Sequence, residues 1–244
     1  MKRCWADILG GCNEQSGEHY VGKRLFEKNV KTRGIHPNLD GRSLPVTSLE
    51  ANILCGKHNS VLSVADQEAI NLKQVSERMF QYQDRRDLLQ GNGLWTPEQH
   101  NVNGLLFGRW LCKLHCNFLA LKDVDPPEYY VRSAFGERTS PVPRFHLRAQ
   151  FHDVLPYQQR IWYENFSGGP CRQDEYGTFH VFFIGFHFLV CPCDLTEVIK
   201  AKLAESTGNI FYRGAWMEKP QKICMEQDGI VVKSFVFDWG AVVD

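Results

Sequence analysis

Apolar residues settle into a helical rhythm from residue 63. Ala69, Ile70, Leu72, Val75, Met79 and Phe80 recur every three or four positions, which predicts a helix with one apolar side. Ser63-Val64-Ala65-Asp66 has the Ser-x-x-acid spacing of a helix start, so the first turn is expected at Ser63. Gly91-Asn92-Gly93 breaks the pattern, and Thr96-Pro97-Glu98 reads as a loop or short turn. A second helix is expected from about Val102 to Lys122, where Leu105, Leu106, Trp110, Leu111, Leu114, Phe118 and Leu121 form the broad stripe of a buried helix. Asp125-Pro126-Pro127 ends it.

Beyond Pro141-Val142-Pro143 the period shortens. Phe145–Phe151 alternates, as does part of Arg160-Ile161-Trp162-Tyr163, and Thr178 to Val190 reads as one strand buried on both faces. Asp194 to Ser206 is an expected helix, with Asp194 as cap and Leu195, Val198, Ile199 and Leu203 as its apolar side. Ile210–Met217 and Ile230–Phe237 read as strands, with Gln227-Asp228-Gly229 as a turn signal. Residues 1 to about 60 differ: they are rich in Gly, Asn, His and Cys and hold few long apolar stretches. Such a segment has too little apolar surface to fold alone, and a metal would supply the missing stability.

Composition narrows the class. Of 244 residues, 43% are hydrophobic and 12% aromatic, enough for a core and against disorder. Lys and Arg (28) equal Asp and Glu (28), which excludes a histone-like DNA wrapper and leaves room for a local basic face. Met1 to Ser60 carries nine Lys and Arg against six Asp and Glu. Lys23, Arg24, Lys28, Lys31 and Arg33 cluster there and suit nucleic-acid phosphates, with binding that weakens as salt rises. No apolar stretch of a signal peptide follows Met1-Lys2-Arg3, and Thr178–Cys193 is too short to span a bilayer as a helix. With nine Cys, an odd count, the reading is a cytoplasmic protein with no membrane association, its thiols metal ligands or buried rather than disulfide-bonded.

The chemistry concentrates near the N-terminus. Cys4 and Cys12 are followed by Glu18-His19 and then by Leu54-Cys55-Gly56-Lys57-His58-Asn59. Cys4, Cys12, Cys55 and His58 supply three thiolates and one imidazole, a complete tetrahedral set for structural Zn²⁺; the competing reading is a group of buried, unliganded thiols. A zinc ion would pin the Glu18-His19 segment beside Asn59. A neutral His accepts a proton from water near pH 7, and a carboxylate with an amide oxygen suits Mg²⁺ or Mn²⁺.

The order Cys…Cys…Glu-His…Leu-Cys-x-x-His-Asn, followed by a helix, resembles the HNH nucleases of the ββα-metal (His-Me finger) superfamily over about the first 75 residues. The resemblance implies a metal-dependent endonuclease acting on DNA, with RNA as the alternative substrate, in a defence or mobile-element setting. By that resemblance His19 is the general base, Glu18 and Asn59 hold the catalytic Mg²⁺ or Mn²⁺, Asn52 orients the base, and Asp66 supports the site from the helix. The alternative from another class is a zinc-containing module that binds nucleic acid or protein without catalysis, and a third has the C-terminal sheet as the working surface for a protein partner.

Other candidates carry less. Cys112 and Cys116 flank His115 at i and i+4 on the second helix and read as packing residues. Arg109 and Lys113 on that helix either point a positive edge at the N-terminal site or lie solvated on the surface. Cys171, Cys191, Cys193 and Cys224 are a candidate second zinc set without a familiar spacing. His180 and His187, seven apart on a single strand, would face opposite sides and share no ligand. The expected fold class is α+β: a zinc-stabilised ββα-metal module (1–75), a helical middle (76–140) and a mostly antiparallel β C-terminal domain (141–244).

Overall fold

A computed structural model describes residues 3–20, 22–25, 29–33, 43–84, 98–139, 143–149, 160–165, 179–183, 186–192, 215–216, 221–227 and 230–239, and the side chains of 3–20, 22–25, 44–75, 99–139, 222 and 234–239. Helices and strands are mixed. In chain order come β1 (Gln15–His19), β2 (Asn29–Arg33), β3 (Ser43–Pro45), β4 (Glu50–Cys55), α1 (Gly56–Asp84), β5 (Glu98–Asn103), α2 (Gly104–Leu121) and α3 (Glu128–Ala134). Then follow β6 (Pro143–Ala149), β7 (Arg160–Asn165), β8 (Phe179–Phe183), β9 (Phe186–Pro192), β10 (Ala215–Trp216), β11 (Gln221–Gln227) and β12 (Ile230–Asp238).

Among the described residues the strands form three sheets. β1 pairs antiparallel with β4; the second sheet runs β10-β6-β9-β8-β7-β2-β3; the third runs β11-β12-β5. Pairings among β6 to β12 are antiparallel. Two parallel pairings tie distant segments: β2 to β7, and β5 to β12.

α1 begins at Gly56, seven residues before the expected Ser63. Its first turn is capped from across the chain: Asn13 Oδ1 accepts from Lys57 N at 2.9 Å, and Glu14 O accepts from Gly56 N at 2.9 Å. Those partners free the helix from needing a local cap. Ser63 lies inside the helix instead, donating to Ser60 O at 2.7 Å. α2 starts at Gly104, two residues after the expected Val102, and buries most of its apolar stripe, but Leu105, placed on that stripe, is 60% exposed; Asn103 caps the helix by accepting from Leu106 N.

The long greasy run is two strands rather than one. β8 and β9 pair antiparallel with Phe183 opposite Phe186, so His180 and His187 sit on separate strands and the single-strand argument about them does not apply. Glu98 opens a strand where a turn was expected, its six polar-rich residues held by the parallel pairing to β12. α3 follows Pro126-Pro127 where the sequence pattern announced nothing. The expected helix at 194–206 lies outside the described residues, as do Lys28, Cys171 and Cys193. Lys31, Arg33, Cys191 and Cys224 lie on described strands, but their side chains are outside the described set.

The described core gathers around α2. Phe107, Trp110 and Phe118 are fully buried with Tyr130 of α3 and Phe235 and Phe237 of β12. Phe237 stacks on Trp239 at 5.9 Å. Gly104 allows that close approach: a Cβ there would lie 2.5 Å from the Trp239 ring and 2.7 Å from the Asp238 carbonyl oxygen. On the other side α2 packs against α1 and β4, so the helix forms the floor under the N-terminal residues.

Candidate metal centre and carboxylate pocket

The segment before β1 folds back on itself. Trp5 N donates to Ile53 O at 3.0 Å, which lays the chain along β4, and a short 3-10 turn at Asp7–Leu9 reverses it. Gly10, at φ 72°, takes the left-handed conformation that lets Cys12 return toward Cys4. This turn is why a seven-residue interval between the two cysteines still brings both thiols to one point. Cys55 arrives at the end of β4 and His58 on the first turn of α1.

Three sulfurs surround one ring nitrogen. His58 Nδ1 lies 3.5 Å from Cys4 Sγ, 3.6 Å from Cys12 Sγ and 3.3 Å from Cys55 Sγ. All four ligand atoms fall within 4.8 Å of one another. A tetrahedral zinc with Zn–S of about 2.3 Å and Zn–N of about 2.0 Å separates sulfur from nitrogen by roughly 3.5 Å. The set therefore fits Zn²⁺ in both chemistry and spacing. The five cysteines with described side chains, these three with Cys112 and Cys116, form no disulfide.

The surroundings suit metal binding. Burial pushes the Cys4 thiol up to about 12, and burial also raises Cys12, so without an ion both stay protonated and an incoming metal must displace their protons. Burial also acts to raise Cys55, but hydrogen bonds from the backbone of His58 and Asn13 and from the neighbouring thiols outweigh it and leave it below the ordinary thiol range. Burial, with the nearby Lys57 charge, depresses His58 and keeps the imidazole neutral, the form that binds a metal. The ring also hydrogen-bonds the Gly10 backbone, which orients it, and Phe135 packs edge-on over it at 5.4 Å.

Beside this centre lies a pocket of opposite character. Glu18 on β1 is buried, accepts a hydrogen bond from Asn59 on α1, and pairs with Lys113 of α2 through Oε1 at 2.7 Å. The same Lys113 Nζ meets Asp66 Oδ2 of α1, also at 2.7 Å. Lys113 is only 2% exposed. Burial raises both carboxyls, an effect opposed by the ammonium. Burial alone would lower Lys113; the two carboxylates overcome that and raise it, keeping it charged.

Of the residues singled out in the sequence, Glu18 and Asn59 thus touch, and Asp66 joins them through Lys113. His19, the last residue of β1, turns to a different neighbour: its Nε2 lies 3.8 Å from Glu50 Oε2 and makes no hydrogen bond. Asn52 is exposed on β4. Lys23 and Arg24 are exposed on a 3-10 turn that, with Ser63, Val64, Gln67 and Ile70 of α1, edges a groove of about 510 Å³ reaching Asp66. Cys112, His115 and Cys116 are buried, with His115 against Tyr130 at 4.6 Å, and belong to the core. Arg109 donates to Ala134 O.

The sequence alone pointed to Lys113 only as a positive edge, and gave no sign that Asn13, Gly10 and Phe135 would frame the centre. Lys113 stands seven positions after Leu106 and three after Trp110 on the helical stripe, and a charge set among apolar residues was the available signal. Among the described residues no helix is long and apolar enough to cross a membrane. Comparison with known proteins finds no matching family model, no matching curated protein and no matching solved structure.

Proposed function

We propose that about the first 75 residues are an HNH-type ββα module directed at nucleic acid, with phosphodiester hydrolysis as its chemistry. One observation carries this reading. β1 pairs antiparallel with β4, β4 runs directly into α1, and the carboxylate near the end of β1 contacts the amide on the first turn of α1. The zinc ligands hold the strand–helix junction from behind, which is the task the resemblance gives them.

Glu18 and Asn59 are hard oxygen donors and fit Mg²⁺ or Mn²⁺ in kind. When bound there, such an ion would stabilise negative charge on a phosphate. The residues do the rest: His19 offers a nitrogen that makes no hydrogen bond to take a proton from water, and Glu50 at 3.8 Å would steady the charged imidazole. Lys23 and Arg24 at the groove would hold the phosphate backbone, DNA more readily than RNA by the same resemblance.

A second reading has its own observation. Lys113 already neutralises Glu18 and Asp66, which suits a zinc-stabilised module that binds without cutting. Plasmid DNA and single-stranded RNA incubated with the zinc-loaded protein in Mg²⁺ or Mn²⁺ separate the two. The first reading expects cation-dependent cleavage that falls by about 10²-fold or more in His19→Ala. Salt-sensitive binding without any cleavage would support the second, and equal cleavage by His19→Ala would remove His19 from the role of base.

A further inference from the structure

We propose that Lys113 is the resident cation of the Glu18–Asp66 pocket and competes directly with any divalent ion for it. The inference rests on the reading of Glu18 and Asn59 as a cation site, and adds the residue that governs its occupancy.

The geometry is specific. One ammonium bridges two carboxylates contributed by separate elements, at 2.7 Å to each, while Asn59 supports Glu18. A Mg²⁺ or Mn²⁺ ion bonds carboxylate oxygen at about 2.0–2.2 Å. On those same oxygens it would stand within about 5 Å of the ammonium nitrogen, where two buried like charges repel strongly with little screening. Ion and ammonium therefore exclude one another. Charge points the same way: two carboxylates and one ammonium leave one unit of negative charge, whereas a dication in the ammonium's place leaves none. Asp66 also lines the groove that holds Lys23 and Arg24 at its edge, so its carboxylate is within reach of solvent while Glu18 is not.

The test is Mn²⁺ binding, read by electron paramagnetic resonance on zinc-loaded full-length protein, with no reference to cleavage. Lys113→Met is expected to bind one further Mn²⁺ at least about tenfold more tightly than wild type, and Asp66→Asn in that background to abolish the gain. A folded Lys113→Met that keeps its zinc and binds Mn²⁺ no better than wild type overturns the proposal. If that variant does not fold, the wild type still decides. The proposal expects weak Mn²⁺ binding that Asp66→Asn leaves weak, and wild-type binding at micromolar Mn²⁺ that Asp66→Asn removes overturns it. Tight binding without cleavage would retire the nuclease reading alone, and cleavage with unchanged Mn²⁺ binding would retire this inference alone.

Discussion

Single residues here act through pairs. Lys113 is buried only because Glu18 and Asp66 meet it, and neither carboxylate would be stable at its depth without the ammonium. Removing the lysine strands two raised carboxyls close together, so Lys113→Met should lose roughly 3–5 kcal/mol at neutral pH. The sign of its pH dependence follows from the direction of those shifts. The ammonium lowers both carboxyls, so in its absence burial raises them further, and carboxyls with raised folded values favour the fold below the unfolded carboxyl range and disfavour it as pH climbs through the raised values. The deficit of Lys113→Met relative to wild type should therefore shrink as pH falls from 7 toward 5. Urea denaturation at the two pH values measures it; a deficit that grows on acidification would contradict the account. The ligand quartet was legible because Cys-x-x-His is a spacing that a single turn enforces. The Lys113 bridge was not, since its partners lie 47 and 95 positions away in the chain.

Elements follow local pattern where their caps are local and depart from it where they are not. α2 follows its stripe apart from the exposed Leu105, and its cap, Asn103, is the residue just before. α1 starts early because Asn13 and Glu14, more than forty residues upstream, take up its first amide groups. The Ser63-x-x-Asp66 spacing resembled a cap, but Asp66 is spent on Lys113. Asn13→Ala should accordingly destabilise the protein by about 0.5–2 kcal/mol, as loss of a side-chain cap does. Ser63→Ala, which removes no cap, should change it by less than about 0.5 kcal/mol. Chemical denaturation of both variants checks the pair, and a larger loss for Ser63→Ala would restore the local start. β5 escaped notice for the same kind of reason: Glu98-Gln99-His100-Asn101 has no apolar alternation, and its strand form comes from β12, more than 130 residues away. The fourteen residues from Phe179 to Pro192 are apolar enough to hide the break between β8 and β9.

At the scale of the molecule, α2 joins the two chemistries to the core. It gives Lys113 to the pocket, Asn117 to the Trp5 indole at 2.8 Å, and Phe107 and Trp110 to the aromatic cluster with β12. Its first residue lies hard against Trp239, so Gly104→Ala should cost about 1–3 kcal/mol through collision with that ring. A thermal melt of that variant matching wild type would show that the β12 packing yields. The mixed α+β class was legible from periodicity, whereas the parallel ties β2–β7 and β5–β12 leave no local trace in the chain. Central to this picture is the closing of Cys4, Cys12, Cys55 and His58 on one ion, which would add to the Asn13 and Glu14 contacts that already tie the N-terminal segment to α1. X-ray absorption at the zinc edge on purified protein tests that most directly. The account predicts a first shell of three sulfurs at about 2.3 Å and one nitrogen at about 2.0 Å, lost in Cys55→Ser. Protein that carries no zinc, or zinc whose sulfur shell Cys55→Ser leaves intact, would contradict it.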